Sequence, residues 1–201
     1  MRFGETIDLR DESLSLVPAV EEARRLFSAV HPGTGRGFPS KFDYRRYSVA
    51  YSMARKGGAV LDIGIGSGQL VNALALGCEF RRVCGIDVTA HSKYERFTDA
   101  YERRRMSVAD MAFGDSEFDV VVCMEVLEHL EPDGFARAVR EIRRVCGGQI
   151  LASVPYDEPE PLPSYHKMRF GDRELEGHFP YARYTLLRKP NVPWVLIEER
   201  P

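Results

Sequence analysis

From Ala59 onward, short apolar runs alternate with stretches of helical spacing, and that alternation is the clearest structural signal in the chain. Ala59 to Ile63 is apolar except at Asp62, and a helical pattern follows from Gly68 to Leu76. Arg82 to Asp87 is a second run, followed by a mixed polar segment. Phe118 to Cys123 is a third, with a predicted helix from about Asp133 to Val145, and Gln149 to Val154 is a fourth, followed by a Pro-rich loop. Near-continuous apolar runs of this kind suit strands of a parallel sheet covered by helices on both faces. Tyr181 to Arg188 and Trp194 to Glu199 are rich in β formers and are separated by Lys189-Pro-Asn-Val-Pro, which predicts an antiparallel pair at the sheet edge. The expected fold class is therefore α/β, with a mixed sheet.

Residues 1–56 read differently. Glu21 to Val30 has helical spacing, His31-Pro-Gly-Thr-Gly-Arg-Gly-Phe-Pro reads as a loop, and a second helix is expected from about Asp43 to Ala54. This is an N-terminal helical flank and lid, with a cofactor-binding core over 57–155 and an acceptor loop plus terminal strands over 156–201. At roughly 150 residues per domain, 201 residues without a long linker or an internal repeat suggest one domain.

Composition narrows the class. The chain is 44% hydrophobic and 29% charged, as soluble globular proteins are, which argues against disordered, collagenous and membrane classes. A formal charge of -2 supplies no overall positive field, so nucleic acid is an unfavoured partner. No apolar stretch approaches the ~20 residues of a membrane span, and the N-terminus lacks a secretory apolar region, so a cytoplasmic protein is expected. Cys78, Cys84, Cys123 and Cys146 have no Cys-x-x-Cys spacing, and four buried thiols are expected rather than disulfides or a zinc site. Arg103 to Arg105 and the Arg143-Arg144 pair are read as solvated helix faces.

The most specific segment is Val60-Leu-Asp-Ile-Gly-Ile-Gly-Ser-Gly-Gln, which follows one apolar run and opens a helix. Glycines there allow a sharp turn and close approach of a ligand to bare backbone. The dinucleotide fingerprint counted from Gly64 and Gly66 requires glycine at position 69, where Gln stands; the third glycine is Gly68. Asp62 precedes the loop, and Asp87 ends the next run, where a carboxylate accepts both hydroxyls of a ribose. Asp110, before the turn at Phe113-Gly-Asp-Ser, is placed to accept from an exocyclic amino group, with Met111 packing on a base.

Taken in order, Leu61-Asp-Ile-Gly-Ile-Gly-Ser-Gly, Gly85-Ile-Asp, Ala109-Asp, Phe118-Asp-Val-Val-Val-Cys-Met-Glu-Val-Leu-Glu-His-Leu, Val139-Arg-Glu-Ile-Arg-Arg-Val and Ile150-Leu-Ala-Ser-Val-Pro resemble the class I S-adenosylmethionine-dependent methyltransferases over about residues 59–155. The resemblance implies a Rossmann-like seven-stranded sheet with one antiparallel strand and the cofactor across the strands' carboxyl ends. It also implies roles: Asp62, Gly64, Gly66 and Gly68 at the methionine portion, Asp87 at the ribose, and Asp110 with Met111 at the adenine.

Glu125, Glu128 and His129 follow one apolar run directly. Were they helical, their spacing would put all three on an arc of roughly 100°. The Pro-rich loop from Val154 is long enough to return His166 over the same strand ends. Two carboxylates and two imidazoles without a thiolate suit a hard or borderline divalent ion, Mg²⁺ or Mn²⁺ first. The pattern resembles the metal sites of small-RNA terminal 2′-O-methyltransferases and ubiquinone-pathway O-methyltransferases. Without metal, His129 or His166 is the candidate general base, and Glu125 completes the catalytic set. His178 is a weaker candidate, and His31 and His91 carry no pattern.

The acceptor is expected to be a small polar molecule bearing a hydroxyl, with a saccharide first, then a phenol or lipid head group. Phe38, Tyr44, Tyr47, Tyr156 and Tyr165 offer candidate aromatic walls, and Lys41, Arg45 and Arg46 are able to pair with a cofactor carboxylate or an anionic acceptor. A metal-independent O- or N-methyltransferase using a His general base is the rival reading; the Asn-Pro-Pro-Tyr motif that the resemblance associates with amine-directed members is replaced by Cys123-Met-Glu-Val, which counts against amide and base-amine acceptors. A cofactor-binding regulatory partner without catalysis is the alternative from another class. A homodimer is an allowed assembly.

Overall fold

A computed structural model describes residues 3–33 and 38–201. Its elements in chain order are β1 (Glu5–Asp8), α1 (Pro18–Val30), α2 (Lys41–Met53), β2 (Ala59–Ile63), α3 (Gln69–Leu76), β3 (Arg82–Asp87), β4 (Glu102–Arg105), β5 (Phe118–Met124), a 3-10 turn (Leu127–His129), α4 (Pro132–Val145), β6 (Cys146–Pro155), α5 (Asp172–His178), β7 (Arg183–Arg188) and β8 (Trp194–Glu199). Part of the expected loop after His31, and the first two residues, lie outside the described residues.

One sheet joins all the strands in the order β1-β7-β8-β6-β5-β2-β3-β4. β2 is flanked by β3 and β5 in parallel, so the chain reverses its direction of travel across the sheet there. That switch point opens a crevice at the strands' carboxyl ends, where ligands of open α/β sheets bind. Only β8 runs against its neighbours, β6 and β7, as the mixed-sheet expectation requires. Among the described residues the count is eight strands rather than seven. The extra one is β1, which pairs in parallel with β7 from Glu5 opposite Thr185 to Asp8 opposite Arg188, so the N-terminal flank is not purely helical.

Side chains of the central strands alternate between two cores. Leu61, Ile63, Val121 and Ile150 pack with Phe135, Ile142 and Leu175 of α4 and α5, whereas Val60, Val120 and Val122 pack with Val20, Tyr44, Val49, Leu70 and Leu74 of α1, α2 and α3. Helix starts follow local chemistry: α1 and α4 carry Pro at their first positions, and Ser40 with Asp43 forms a capping box for α2.

Several expectations are corrected. Arg103 to Arg105 lie in β4, an exposed edge strand, where charge discourages pairing with another chain. Arg143 and Arg144 do lie in α4, but they are tied down: Arg143 pairs with Glu199 at 2.8 Å, and Arg144 with Glu141 at 2.7 Å and Asp115 at 2.9 Å. Cys78 is exposed, while Cys84, Cys123 and Cys146 are buried and all four are free thiols. The segment 156–180, read as a loop, contains α5. No helix among the described residues is long and apolar enough to cross a membrane.

Candidate active site

A cavity of about 370 Å³ opens at the carboxyl ends of β2, β3 and β5, lined by Ile63, Gly64, Ile86, Asp87, Val88, Met106, Ser107, Val108, Glu125, Val126, His129 and Leu130. Gly64, which opens the glycine loop between β2 and α3, lines it. Gly64 has a positive φ of 73°, and a Cβ there would lie 2.3 Å from Val126 Cγ2. Gly68 has φ 88°, and its Cβ would meet the Glu95 carbonyl oxygen at 2.5 Å. Both conformation and space exclude other residues at these two positions. At Gly66, by contrast, the nearest atom a Cβ would meet is 3.9 Å away, so that backbone faces open room.

Asp87 ends β3 against this loop. Its Oδ2 accepts from the Gly66 amide and its Oδ1 from the Thr89 amide, each at 3.0 Å, which fixes the carboxylate with spare lone pairs facing the cavity. Asp62 on β2 is 2% exposed, and its Oδ2 has no hydrogen-bond partner among the described residues. Burial, then the charge of Asp87, pushes the Asp62 carboxyl up to about 8. Gln69, also 2% exposed, has neither amide atom paired. Orphaned buried polar atoms of this kind suit a polar ligand, an ion or an ordered water. Gln69 stood out in the sequence only as a departure from the dinucleotide fingerprint.

Asp110 and Met111 do not line the cavity. Asp110 is exposed, its amide bonded to the Ser107 carbonyl at 3.2 Å, and Met111 is core. The corresponding wall is made by Met106, Ser107 and Val108, three residues earlier in the same turn. Because no regular element spans this turn, the residue facing inward was not deducible from periodicity.

The Glu-x-x-Glu-His segment does not form one helical face. Glu125 has φ 57°, and the 3-10 turn begins only at Leu127. The left-handed residue divides the segment. Glu125 Oε1 accepts from the Ser153 hydroxyl at 3.0 Å and lies 3.0 Å from Arg46 Nη1. Arg46, 3% exposed, stacks 4.0 Å over the Trp194 ring. Glu125 therefore faces α2, not the other three candidate ligands. Burial raises its carboxyl, with Arg46 opposing that rise.

Glu128, His129 and His166 do converge: one potential ligand atom of each lies within 4.8 Å of the others. Glu128 is 1% exposed and neither carboxylate oxygen has a hydrogen-bond partner among the described residues. Burial, then the charge of Glu125, pushes its carboxyl well above the ordinary range. His129 Nδ1 donates to the Tyr165 carbonyl at 2.9 Å, and its Nε2 lies 3.9 Å from Glu128 Oε1, beyond hydrogen-bond reach. The loop carrying His166 is stapled over this turn, because the amides of Lys167 and Met168 donate to the Glu128 carbonyl at 2.7 and 3.2 Å. A buried carboxylate with both oxygens unpaired, together with two converging imidazoles, is an O and N donor set suited to a hard or borderline dication, so these residues fit a metal.

The aromatic wall is mostly not assembled here. Phe38 packs on Phe27 and His31, Tyr44 is buried, Tyr47 lies beneath Arg46, and Tyr156 donates to Asp172 and packs on Phe3. Only Tyr165 adjoins the cluster, its ring centroid 4.7 Å from His166 and 5.9 Å from His129, with its side chain largely exposed. His178 packs on Phe135, and His31 pairs with Glu95. Of the basic candidates, Lys41 reaches Glu12 at 3.8 Å and Arg45 donates to the Leu9 carbonyl, leaving Arg46 nearest the site.

Known proteins resemble this chain in sequence and in fold. A methyltransferase-domain family model matches residues 61–151. The chain is 34% identical over 127 residues to a ubiquinone biosynthesis O-methyltransferase of Xanthomonas campestris pv. campestris, covering 58% of this chain and 49% of that protein. It is 35% identical over 120 residues to a probable S-adenosylmethionine-dependent methyltransferase of Mycobacterium tuberculosis, covering 55% and 41%. The chain thus spans about half the length of the curated relatives it matches. A crystal structure of a SAM-dependent methyltransferase from Methanosarcina mazei superimposes with a TM-score of 0.55 at 19% identity, over 75% of this chain and 95% of that one, a likeness of fold. Residues 61–151 thus carry a class I S-adenosylmethionine-dependent methyltransferase domain.

Proposed function

We propose that this class I methyltransferase domain moves the methyl group of S-adenosylmethionine to a hydroxyl of a small polar acceptor, with a divalent ion held by Glu128, His129 and His166. The observation that carries the reading is Glu128, a buried carboxylate with both oxygens unpaired beside two imidazoles. The name of the Xanthomonas relative, ubiquinone biosynthesis O-methyltransferase, supports oxygen as the acceptor atom.

The chain's own residues divide the work. Asp87 is the acceptor for the ribose diol, Gly66 gives bare backbone, Met106 to Val108 wall the base, and Asp62 with Arg46 faces the ammonium and carboxylate of the methionine portion. Methyl transfer from a sulfonium needs alignment more than activation of the leaving group, so rigid placement of donor and acceptor is the main contribution. A divalent ion, Mg²⁺ or Mn²⁺ first, supplies Lewis acidity toward an alcohol. Tyr165 holds the Nδ1–H of His129, which leaves Nε2 with its lone pair on the cavity side. That same lone pair favours a second reading, in which His129 is a metal-independent general base.

Among hydroxylated acceptors a saccharide is tested first, since the exposed Tyr165 ring offers a sugar an apolar face; phenols follow. S-adenosylhomocysteine release is measured over such a panel, with and without chelator. Turnover that chelation abolishes and Mg²⁺ or Mn²⁺ restores is expected. Chelator-resistant turnover selects the second reading, and transfer to amines alone refutes both.

A further inference from the structure

Resting on the metal reading of Glu128, His129 and His166, we propose that Glu158 is a positioning residue: its carboxylate accepts a hydrogen bond from the Nδ1–H of His166 and so presents Nε2 to the space shared with Glu128 and His129. His166 Nδ1 lies 2.6 Å from Glu158 Oε2, and both side chains are about nine-tenths buried. A carboxylate acceptor at Nδ1 places a proton there, so the neutral ring carries its lone pair on Nε2. His129 is arranged the same way by a different acceptor, the Tyr165 carbonyl. Two imidazoles with Nδ1 capped converge on a carboxylate that has no hydrogen-bond partner of its own among the described residues. Metal-bound imidazoles have this backing, which fixes the ring and raises its basicity.

Glu158 is itself held. Its carbonyl accepts from Arg169 Nε at 2.8 Å, and Arg169 also pairs with Asp157. The Asp157 amide donates to the Phe170 carbonyl at 2.8 Å, closing the loop at its base. The loop's two ends are thus clamped, and the Glu158 to His166 bond crosses its interior. His166 is delivered by a segment with no helix or strand, so its aim depends on this contact.

The test uses the full chain with three variants, Glu158→Ala, Glu158→Gln and His166→Ala, and two readouts besides turnover. The ¹⁵N shifts of the His166 ring in metal-free protein report the tautomer. Wild type and Glu158→Gln, whose amide oxygen still accepts, are expected to show the Nδ1–H form, and Glu158→Ala to move toward the Nε2–H form. Titration with Co²⁺, read by its visible absorption, is expected to show a roughly 10- to 100-fold weaker site in Glu158→Ala, a much smaller loss in Glu158→Gln, and no site in His166→Ala. Calorimetric binding of S-adenosylhomocysteine, expected unchanged, controls for folding. An Nε2–H tautomer in wild type, or unaltered Co²⁺ affinity in Glu158→Ala, overturns the role of Glu158 alone. Wild type that takes up no Co²⁺ while keeping the Nδ1–H tautomer overturns the metal reading and, with it, the positioning role toward a metal.

Discussion

Glu125 Oε1 lies 3.0 Å from Arg46 Nη1, joining the residue that follows β5 to the middle of α2 across the top of the sheet. Arg46 also reaches Asp43 at 3.1 Å and lies on Trp194, so the guanidinium is sandwiched among three elements. A buried charge is tolerated only while its partner remains. Arg46→Ala is expected to lower stability by about 3 kcal/mol, read as a lower urea midpoint with an unchanged slope. A midpoint equal to wild type would show that the pair contributes nothing.

Asp62 gives cofactor binding a pH dependence. Its folded pKa, about 8, lies above the ordinary carboxylate value, so the folded ligand-free chain holds an extra proton through the intervening window. By linkage, Asp62 lowers the stability of the ligand-free chain progressively as pH rises from the unfolded value toward 8. Pairing with the cofactor's ammonium requires the ionised form, so affinity is expected to increase with pH toward about 8. Calorimetry from pH 6 to 9, at roughly one-unit steps, checks the slope; Asp62→Asn should remove the slope and weaken binding. A flat profile in wild type contradicts the assignment.

Asp87→Ala deletes the acceptor for the Gly66 and Thr89 amides as well as the proposed ribose contact. A charged hydrogen-bond acceptor contributes about 1.5–3 kcal/mol, so a loss of roughly 10- to 100-fold in cofactor affinity is expected. The fold should survive, since the residue lies at a strand end. Equal affinity in the variant would sink the ribose assignment.

Glu128→Gln and His166→Ala are expected to remove divalent-ion binding and turnover together, while S-adenosylhomocysteine still binds. Glu125→Ala separates two roles. With its carboxylate on Arg46 and Ser153, its loss should lower stability and turnover yet leave ion affinity within a few-fold. Loss of the ion site in Glu125→Ala would return Glu125 to the ligand set.

Much of the fold was readable because the signals were local. The runs at β2, β3, β5 and β6 are apolar on both faces, and each is followed by a helical pattern, a polar segment or a Pro-rich loop. β1 and β4 were missed for the opposite reason. Glu102-Arg-Arg-Arg has no apolar residue, and it is a strand only because β3 offers it a ladder. β1 finds its partner near the other end of the chain. Helical spacing also misled at Glu125, where a left-handed residue interrupts the expected arc.

The sequence by itself determined the glycine loop, Asp62, Asp87, the parallel core and the residue types able to hold a dication. Each depends on neighbours within one strand, turn or helix. Tertiary structure decided which of four candidate ligands converge, that Ser107 and Val108 rather than Asp110 and Met111 face the cavity, and that Glu158 backs His166. Those outcomes rest on a left-handed backbone residue, on the path of loops without periodicity, and on a buried ion pair between segments far apart in the chain. None leaves a trace in spacing, because each is set by which surfaces close against one another once the sheet has formed.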